Sequence, residues 1–238
     1  MPRTQALREL NNTYVINTIA RRSLKFAQDE LESKRRTKFN YKVPTVSQKD
    51  NISIAKTKKQ VIKLIENTVD RDLFSQSVIT AVAITEGYLS KSLYTILSKF
   101  PEKLASNDKK IDISLIFESD DLIELIDKII LKQINSAFYS SPAKYFEYSE
   151  KILSIKIRKS LKDQYAEIKA TRDILVHNGG IINDQYIFKS GKKARASSEN
   201  IDELIDLDPE YFDQSIRGMK KLVVSIYKQL QQKYAKVG

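Results

Sequence analysis

Cysteine and tryptophan are absent from this 238-residue sequence, and histidine occurs only once. Without cysteine, the chain has no disulfide bond, no thiol nucleophile and no thiolate metal site, which fits a reducing compartment. The amino-terminal residues hold no apolar segment of the secretory type. The longest weakly polar run, Val78 to Ile84, is far shorter than the roughly 20 residues that span a bilayer. We therefore expect a cytoplasmic protein that does not cross a membrane.

Glycine and proline are also scarce, with six and five residues respectively. Tight turns favour these residues, so their scarcity argues for long helices and against a β-sandwich or β-barrel. A hydrophobic content of 41% beside 30% charged residues is ordinary for a globular protein and too apolar for general disorder. The composition predicts an all-α fold with a substantial core.

Positive charge is concentrated near the amino terminus. Residues 1–63 carry 15 Lys and Arg against 5 Asp and Glu, a difference of +10, whereas the whole chain has a net charge of +11. This asymmetry suggests a polyanionic partner, with nucleic acid first and an anionic membrane surface second. A solvated basic helix explains the same excess, and the sequence leaves both interpretations open. The helix predicted from Thr4 to Ser33 lacks a bulky aromatic face, which argues against the membrane surface.

Helical spacing of apolar residues marks most of the chain. It predicts helices at Thr4 to Ser33, Ser53 to Val69, Asp72 to Phe100, Asp120 to Phe138, from Ser141-Pro142 onward, Lys162 to His177, and Pro209 to Tyr234. Phe39 to Asn51 is predicted to be an extended connection. Gly180 to Asn200 is the only segment with strand character and predicts a short hairpin or ordered loop before the last helix. We place a basic N-terminal helix and linker at residues 1–52 and the main helical domain at residues 53–238.

The single histidine, His177, closes the segment Arg172-Asp173-Ile174-Leu175-Val176-His177 at the end of a predicted helix. A histidine there is often only a cation favoured by the helix dipole. Asp173, four residues earlier, shares a helix face with His177 and can fix the imidazole tautomer through a hydrogen bond. Arg172 lies about 140° round the helix, and its long guanidinium can reach a phosphate that the imidazole also faces. Imidazole and guanidinium together suit phosphodiester cleavage, because one moves protons and the other stabilises phosphoryl charge.

The phrase Arg172-Asp-Ile-Leu-Val-His-Asn-Gly-Gly180 resembles the Rx4-6H motif of the HEPN superfamily. The surrounding chain resembles the larger, RiboL-PSP-like branch in three further features. These are the apolar helix Ala81 to Leu89 with Glu86 embedded in it, the helix start Ser141-Pro142-Ala143-Lys144, and the insertion before the final helix. The likeness extends from about Val61 to Tyr234 and leaves the first basic helix outside.

The resemblance implies an up-and-down helical bundle, here with an extra N-terminal helix, that dimerises with its two motifs facing each other. It also implies an endoribonuclease that needs no metal and no cofactor and leaves a 2′,3′-cyclic phosphate. Arg172 and His177 would be the catalytic pair and Asp173 the modulating polar residue, with Glu86 and Asn178 as supporting residues. A defence, toxin or stress role, with an antitoxin or another regulatory protein as partner, follows from the resemblance alone. Some members only bind, so an inactive RNA-binding or protein-interaction module is the alternative.

Cleavage by a 2′-hydroxyl benefits from a general base and a general acid, and histidine is the side chain that ordinarily exchanges protons near neutral pH. With one histidine per chain, either a second kind of residue serves or two chains each supply His177 to a shared groove. The second solution is simpler and predicts a homodimer. The cations Lys189, Lys192, Lys193 and Arg195 could hold the RNA backbone, or they could lie in a solvated loop. The tyrosines are expected mostly in the core.

Overall fold

The computed structural model describes residues 2–46, 51–106 and 113–235. The fold is an all-α helical bundle, as predicted. Its helices are α1 (Arg3–Ser33), α2 (Lys58–Asn67), α3 (Leu73–Lys99), α4 (Ile113–Phe117), α5 (Leu122–Phe138), α6 (Pro142–Leu153), α7 (Lys159–His177), α8 (Asp184–Ser190) and α9 (Pro209–Tyr234). A π-helical turn, Thr68–Asp72, joins α2 to α3, and 3-10 turns cover Pro101–Ser106, Gly191–Lys193 and Ser198–Asn200.

Helix α3 lies at the centre of the bundle and contacts α1, α5, α6, α7 and α9. A helix surrounded in this way buries apolar side chains on several faces. One half of the core is built around Leu89 and Leu93 of α3, with residues from α5, α6 and α9. The other half joins Val78 and Val82 of α3 to α7, α8 and α9. Both halves hold α7 firmly against α3, which fixes the position of the Arg172 to His177 segment.

A two-stranded antiparallel hairpin precedes α2 and corrects the sequence prediction. Strand β1 (Lys38–Pro44) pairs with β2 (Asn51–Thr57), in a register that places Lys38 opposite Thr57. The predicted helix from Ser53 is therefore wrong over its first residues. It begins at Lys58 because Thr57 and Gln60 form a reciprocal capping box, with hydrogen bonds of 3.3 and 2.8 Å. The predicted extended connection is partly strand β1, and its residues 47–50 lie outside the described part.

A short hairpin or an ordered loop was expected from Gly180 to Asn200. Part of this segment forms helix α8, and the rest consists of 3-10 turns and irregular backbone. Helix α8 begins after Asn183, whose side chain accepts a hydrogen bond from the Tyr186 backbone N–H at 2.9 Å. The pairing that remains is one isolated bridge between Ile181 and Leu204. The hairpin prediction is wrong because this cap starts a short amphipathic helix, which packs beside α7.

Helix α1 packs along α3 and α9 and buries Ala6 and Leu10 in the two halves of the core. The proposed boundary between residues 52 and 53 falls inside β2, and the division into two domains stays a prediction. In the described part of the chain, no helix combines the length and the apolarity needed to cross a bilayer.

Candidate functional site

The end of α7 is set by three residues that follow His177. Asn178 and Gly180 both donate backbone hydrogen bonds to the Ile174 carbonyl, at 2.8 and 2.9 Å. Gly179 and Gly180 have φ values of +59° and +82°, the left-handed region that glycine tolerates. The Asn178 amide also donates to the Ile181 carbonyl at 2.8 Å. The helix therefore stops at His177 and leaves its side chain exposed on the last turn.

Arg172, Asp173, His177 and Asn178 line one open cleft of about 400 Å³. Its walls come from α3, α7 and α8 and from the turn between α5 and α6. The remaining polar and aromatic residues at its surface include Glu86, Phe138, Tyr139, Ser140, Lys169, Asn183, Gln185, Tyr186 and Lys189. The structure thus brings together the catalytic and supporting residues that the sequence predicted.

Glu86 lines this cleft from α3 and is held by partners from α7. Its carboxylate accepts hydrogen bonds from Arg172 Nη2 at 2.9 Å and from Lys169 Nζ at 2.5 Å. The Tyr165 hydroxyl lies 3.5 Å from the same carboxylate. The Glu86, Lys169 and Arg172 side chains are largely buried, so the electrostatic attraction is stronger than it would be on the surface. Glu86 is therefore the counter-ion of two cleft cations.

Asp173 faces cations rather than the imidazole. One carboxylate oxygen lies 3.1 Å from Arg172 Nη1, and the other accepts a hydrogen bond from Lys189 Nζ at 3.3 Å. In the part of the chain that the structure describes, no hydrogen bond joins Asp173 to His177. The hydrogen bond expected between Asp173 and the imidazole is therefore absent among the described residues, and the two carboxylate oxygens face Arg172 and Lys189 instead. Asp173 positions these two cations.

Lys169 is a cleft residue that the sequence interpretation missed. It lies four residues before Asp173 and eight before His177, so all three fall on one face of α7. Helical spacing was the signal that could have identified it. With Lys169, Arg172 and Lys189 against Glu86 and Asp173, the cleft carries one more positive than negative charge before His177 is counted. Such a site favours an anion such as a phosphodiester.

Of the four cations assigned to RNA binding, the cleft contains Lys189. Lys192 lines a neighbouring groove, and Lys193 lies beside a third depression on another part of the surface. Arg195 was expected either to hold the RNA backbone or to lie in a solvated loop. Its contacts correct the solvated-loop alternative, and its part in RNA binding stays a prediction. Its guanidinium donates to Glu167 Oε1 at 3.0 Å and stacks on the Tyr211 ring, 3.5 Å from the centroid.

Glu167, the partner of Arg195, is 5% exposed and is the centre of a buried network. It accepts hydrogen bonds from Thr171 at 2.8 Å, Tyr186 at 3.1 Å and Tyr211 at 3.2 Å. Burial and the Glu167 charge raise the pKa of Tyr186 above its usual value. Tyr186 also lines the cleft, so this network fixes α8 and the cleft lysine that α8 carries.

Tyr139 is an exception to the expectation that most of the tyrosines lie in the core. It ends α5, lines the cleft, and is 93% exposed. A large aromatic side chain so exposed beside a basic cleft is a candidate contact for a ligand.

In the residues that the structure describes, no three His, Asp or Glu side chains gather in a way that could hold a metal ion. Comparison of the chain with family models, with curated proteins and with solved structures finds no match. The resemblance to the HEPN superfamily therefore stays a prediction from the Arg172 to Gly180 phrase and its context.

Proposed function

We propose that this protein is a metal-independent endoribonuclease of HEPN type. The observation that carries the proposal is that Arg172 and His177 open onto one cleft with an excess of positive charge. The cleft can take a negatively charged phosphodiester, and its two motif residues supply the two functions that phosphodiester cleavage needs. The guanidinium stabilises charge, and the imidazole exchanges protons.

In the proposed reaction, the ribose 2′-oxygen attacks the adjacent phosphorus while the bond from phosphorus to the 5′-oxygen breaks. The 2′-hydroxyl loses its proton to a general base, and the leaving 5′-oxygen receives one from a general acid. His177 takes one of these roles, and His177 of a second copy takes the other across a two-fold dimer. Arg172 and Lys189 stabilise the charge that develops on the phosphoryl oxygens. The products are a 2′,3′-cyclic phosphate and a free 5′-hydroxyl.

To bind a phosphate, Arg172 must replace at least one of its contacts with Glu86 and Asp173 by a contact with the phosphate. The guanidinium has five N–H donors, so it can keep one carboxylate while it turns another edge to the phosphate. Lys169 can remain on Glu86 and limit the cost of this exchange. Binding of RNA therefore rearranges ion pairs that already exist in the cleft.

The test is cleavage of single-stranded RNA in EDTA by the wild type and by Arg172→Ala and His177→Ala. Arg217→Ala is the matched control, because Arg217 pairs with Asp213 on α9, outside the cleft. We expect cleavage by the wild type and the control, loss of cleavage in both motif variants, and cyclic phosphate ends identified by mass spectrometry. Cleavage that persists in both motif variants, or a wild type that does not cleave, contradicts the proposal.

The second candidate is a catalytically inactive module of the same type, which binds RNA or a protein partner. The contacts of Arg172 favour it, because carboxylates of Glu86 and Asp173 engage both terminal nitrogens of the guanidinium. This module would leave the RNA intact, and the His177→Ala variant would bind RNA as well as the wild type does. A role in defence, toxicity or stress, an antitoxin or other regulatory partner, and a cytoplasmic location all rest on sequence interpretation.

A further inference from the structure

We propose that Tyr139 and Phe188 are base-stacking platforms on either side of Lys189, and that they restrict the site to unpaired RNA. This inference rests on the proposed function, since it names how the same cleft holds its substrate. In this arrangement the cations hold the backbone of the strand and the two exposed rings hold bases next to the reacting phosphate.

Tyr139 is an exposed ring on a well-anchored turn. Its backbone N–H donates to the Asn135 carbonyl at 3.1 Å, and Ser140 donates to the Ala137 carbonyl from its backbone at 3.1 Å and from its hydroxyl at 2.6 Å. The preceding Phe138 ring packs against Tyr145 with centroids 4.5 Å apart. The turn therefore presents the Tyr139 ring at the cleft from a fixed backbone, which lowers the entropy cost of stacking on a base.

Phe188 is 84% exposed and lies on α8 directly before Lys189. It lines a second groove, of about 580 Å³, which also contains Lys192. Pro142 and Lys189 line both this groove and the cleft, so the two form one continuous path. An exposed aromatic residue thus stands on each side of Lys189 along a basic track.

Stacking on aromatic rings and salt bridging to phosphates are together the usual means of holding a single strand without reading its sequence. Every base has a face that can stack, whereas in an A-form duplex these faces are covered by neighbouring base pairs. The exposed rings are therefore useful for an unpaired strand and of little use for a duplex. Lys192 lies in the groove of Phe188 and so belongs to this track, whereas Lys193 lines a different depression.

The binding experiment uses wild-type protein and an uncleavable 2′-O-methyl RNA, as a single strand and as a hairpin duplex. The variants are Tyr139→Ala, Phe188→Ala and Tyr139→Phe. Phe117→Ala is the matched control, because Phe117 is 86% exposed on α4 and lines neither groove. We expect each platform variant to weaken single-strand binding by about five- to a hundredfold. Tyr139→Phe and Phe117→Ala should stay within about twofold of the wild type, and the duplex should bind weakly to all.

Unchanged single-strand binding in both alanine variants, with cleavage of unmodified RNA by the wild type, overturns the stacking proposal alone. Loss of binding in both alanine variants without any cleavage by the wild type overturns the nuclease proposal alone. A wild type that binds no RNA, or that prefers the duplex, overturns the stacking proposal. Circular dichroism of each variant checks that lost binding does not reflect lost fold.

Discussion

Substitution of Gly180 by alanine tests the turn that ends α7 and fixes the position of His177. Gly180 has φ of +82°, and a Cβ atom there would lie 2.7 Å from Arg71 Nη2. That nitrogen donates a hydrogen bond to the Gly179 carbonyl at 2.8 Å. Gly179 is the matched control, because its φ is +59° and a Cβ atom there meets nothing within 4 Å.

The two substitutions share one cost and differ in another. Left-handed backbone costs a residue with a Cβ about 1–2 kcal/mol, and this applies to both glycines. At Gly180 the new methyl group must also displace the Arg71 guanidinium, whose hydrogen bond contributes about 1 kcal/mol. We therefore expect Gly180→Ala to lower the free energy of unfolding by about 1 kcal/mol more than Gly179→Ala does.

Urea unfolding followed by circular dichroism measures this difference, and an Arg71→Ala background completes a double-mutant cycle. Without the guanidinium, the nearest remaining atom is Leu175 Cδ2 at 3.3 Å, the end of a flexible side chain. Gly180→Ala should then cost about as much as Gly179→Ala. Equal losses for the two glycines in the wild-type background, or a difference that persists when Arg71 is absent, would refute the assignment of this contact.

Three further predictions concern the cleft and the core. Glu86→Gln removes the carboxylate that Lys169 and Arg172 share, although Arg172 keeps its contact with Asp173. The slope of log binding constant against log salt concentration, measured with uncleavable single-stranded RNA, should steepen by about 0.7 for each cation that then reaches a phosphate. An unchanged slope contradicts this. Arg195→Met leaves the buried Glu167 carboxylate without its guanidinium. Because Arg195 is 26% exposed, we expect the free energy of unfolding, measured in urea, to fall by about 2–3 kcal/mol. The affinity for RNA should stay within about twofold of the wild type. An unchanged free energy of unfolding contradicts the structural role. Burial raises the pKa of Tyr88 and Tyr148 from 10.0 to about 12, because the folded protein favours their neutral hydroxyls. The contribution of each hydroxyl to the free energy of unfolding is therefore complete below pH 10 and is lost as the pH rises toward 12. Replacement of either by phenylalanine should reduce this alkaline loss in pH-dependent unfolding.

Helix ends with distinctive capping residues could be predicted from the sequence. Pro142 and Pro209 stand in the first turns of α6 and α9, and Asp121 caps α5 through the Glu124 backbone N–H. The glycine pair after Asn178 ends α7 as expected. In each case a few neighbouring residues determine the local backbone, so no distant contact is needed.

The hairpin before α2 and helix α8 could not be read from apolar periodicity. Strand β2 is exposed along most of its length, so the alternation that marks a half-buried strand is missing. The Thr57 and Gln60 capping box was the signal for the true start of α2, and the Asn183-Asp184 pair was the signal for α8. In both places the cap is more informative than the apolar pattern.

The residues that α7 contributes to the candidate site could be predicted from the sequence, whereas the contacts between α7 and other parts of the chain could not. Arg172, Asp173 and His177 are close in sequence, so their shared helix follows from spacing. The contact between Glu86 and Lys169 joins residues 83 positions apart, and the hydrogen bond between Arg195 and Glu167 joins residues 28 apart. Such pairings depend on how whole helices pack, which a single sequence does not specify.

The most direct test of the central claim follows the one imidazole of the protein by NMR. His177 gives the only histidine Cε1–H signal, so titration with an uncleavable 2′-O-methyl single strand reports on this ring alone. We predict that its chemical shift moves in step with RNA binding measured by fluorescence anisotropy, and that Arg172→Ala weakens both together. RNA that binds and leaves the His177 signal unmoved would contradict the claim that Arg172 and His177 hold one phosphate in a shared cleft.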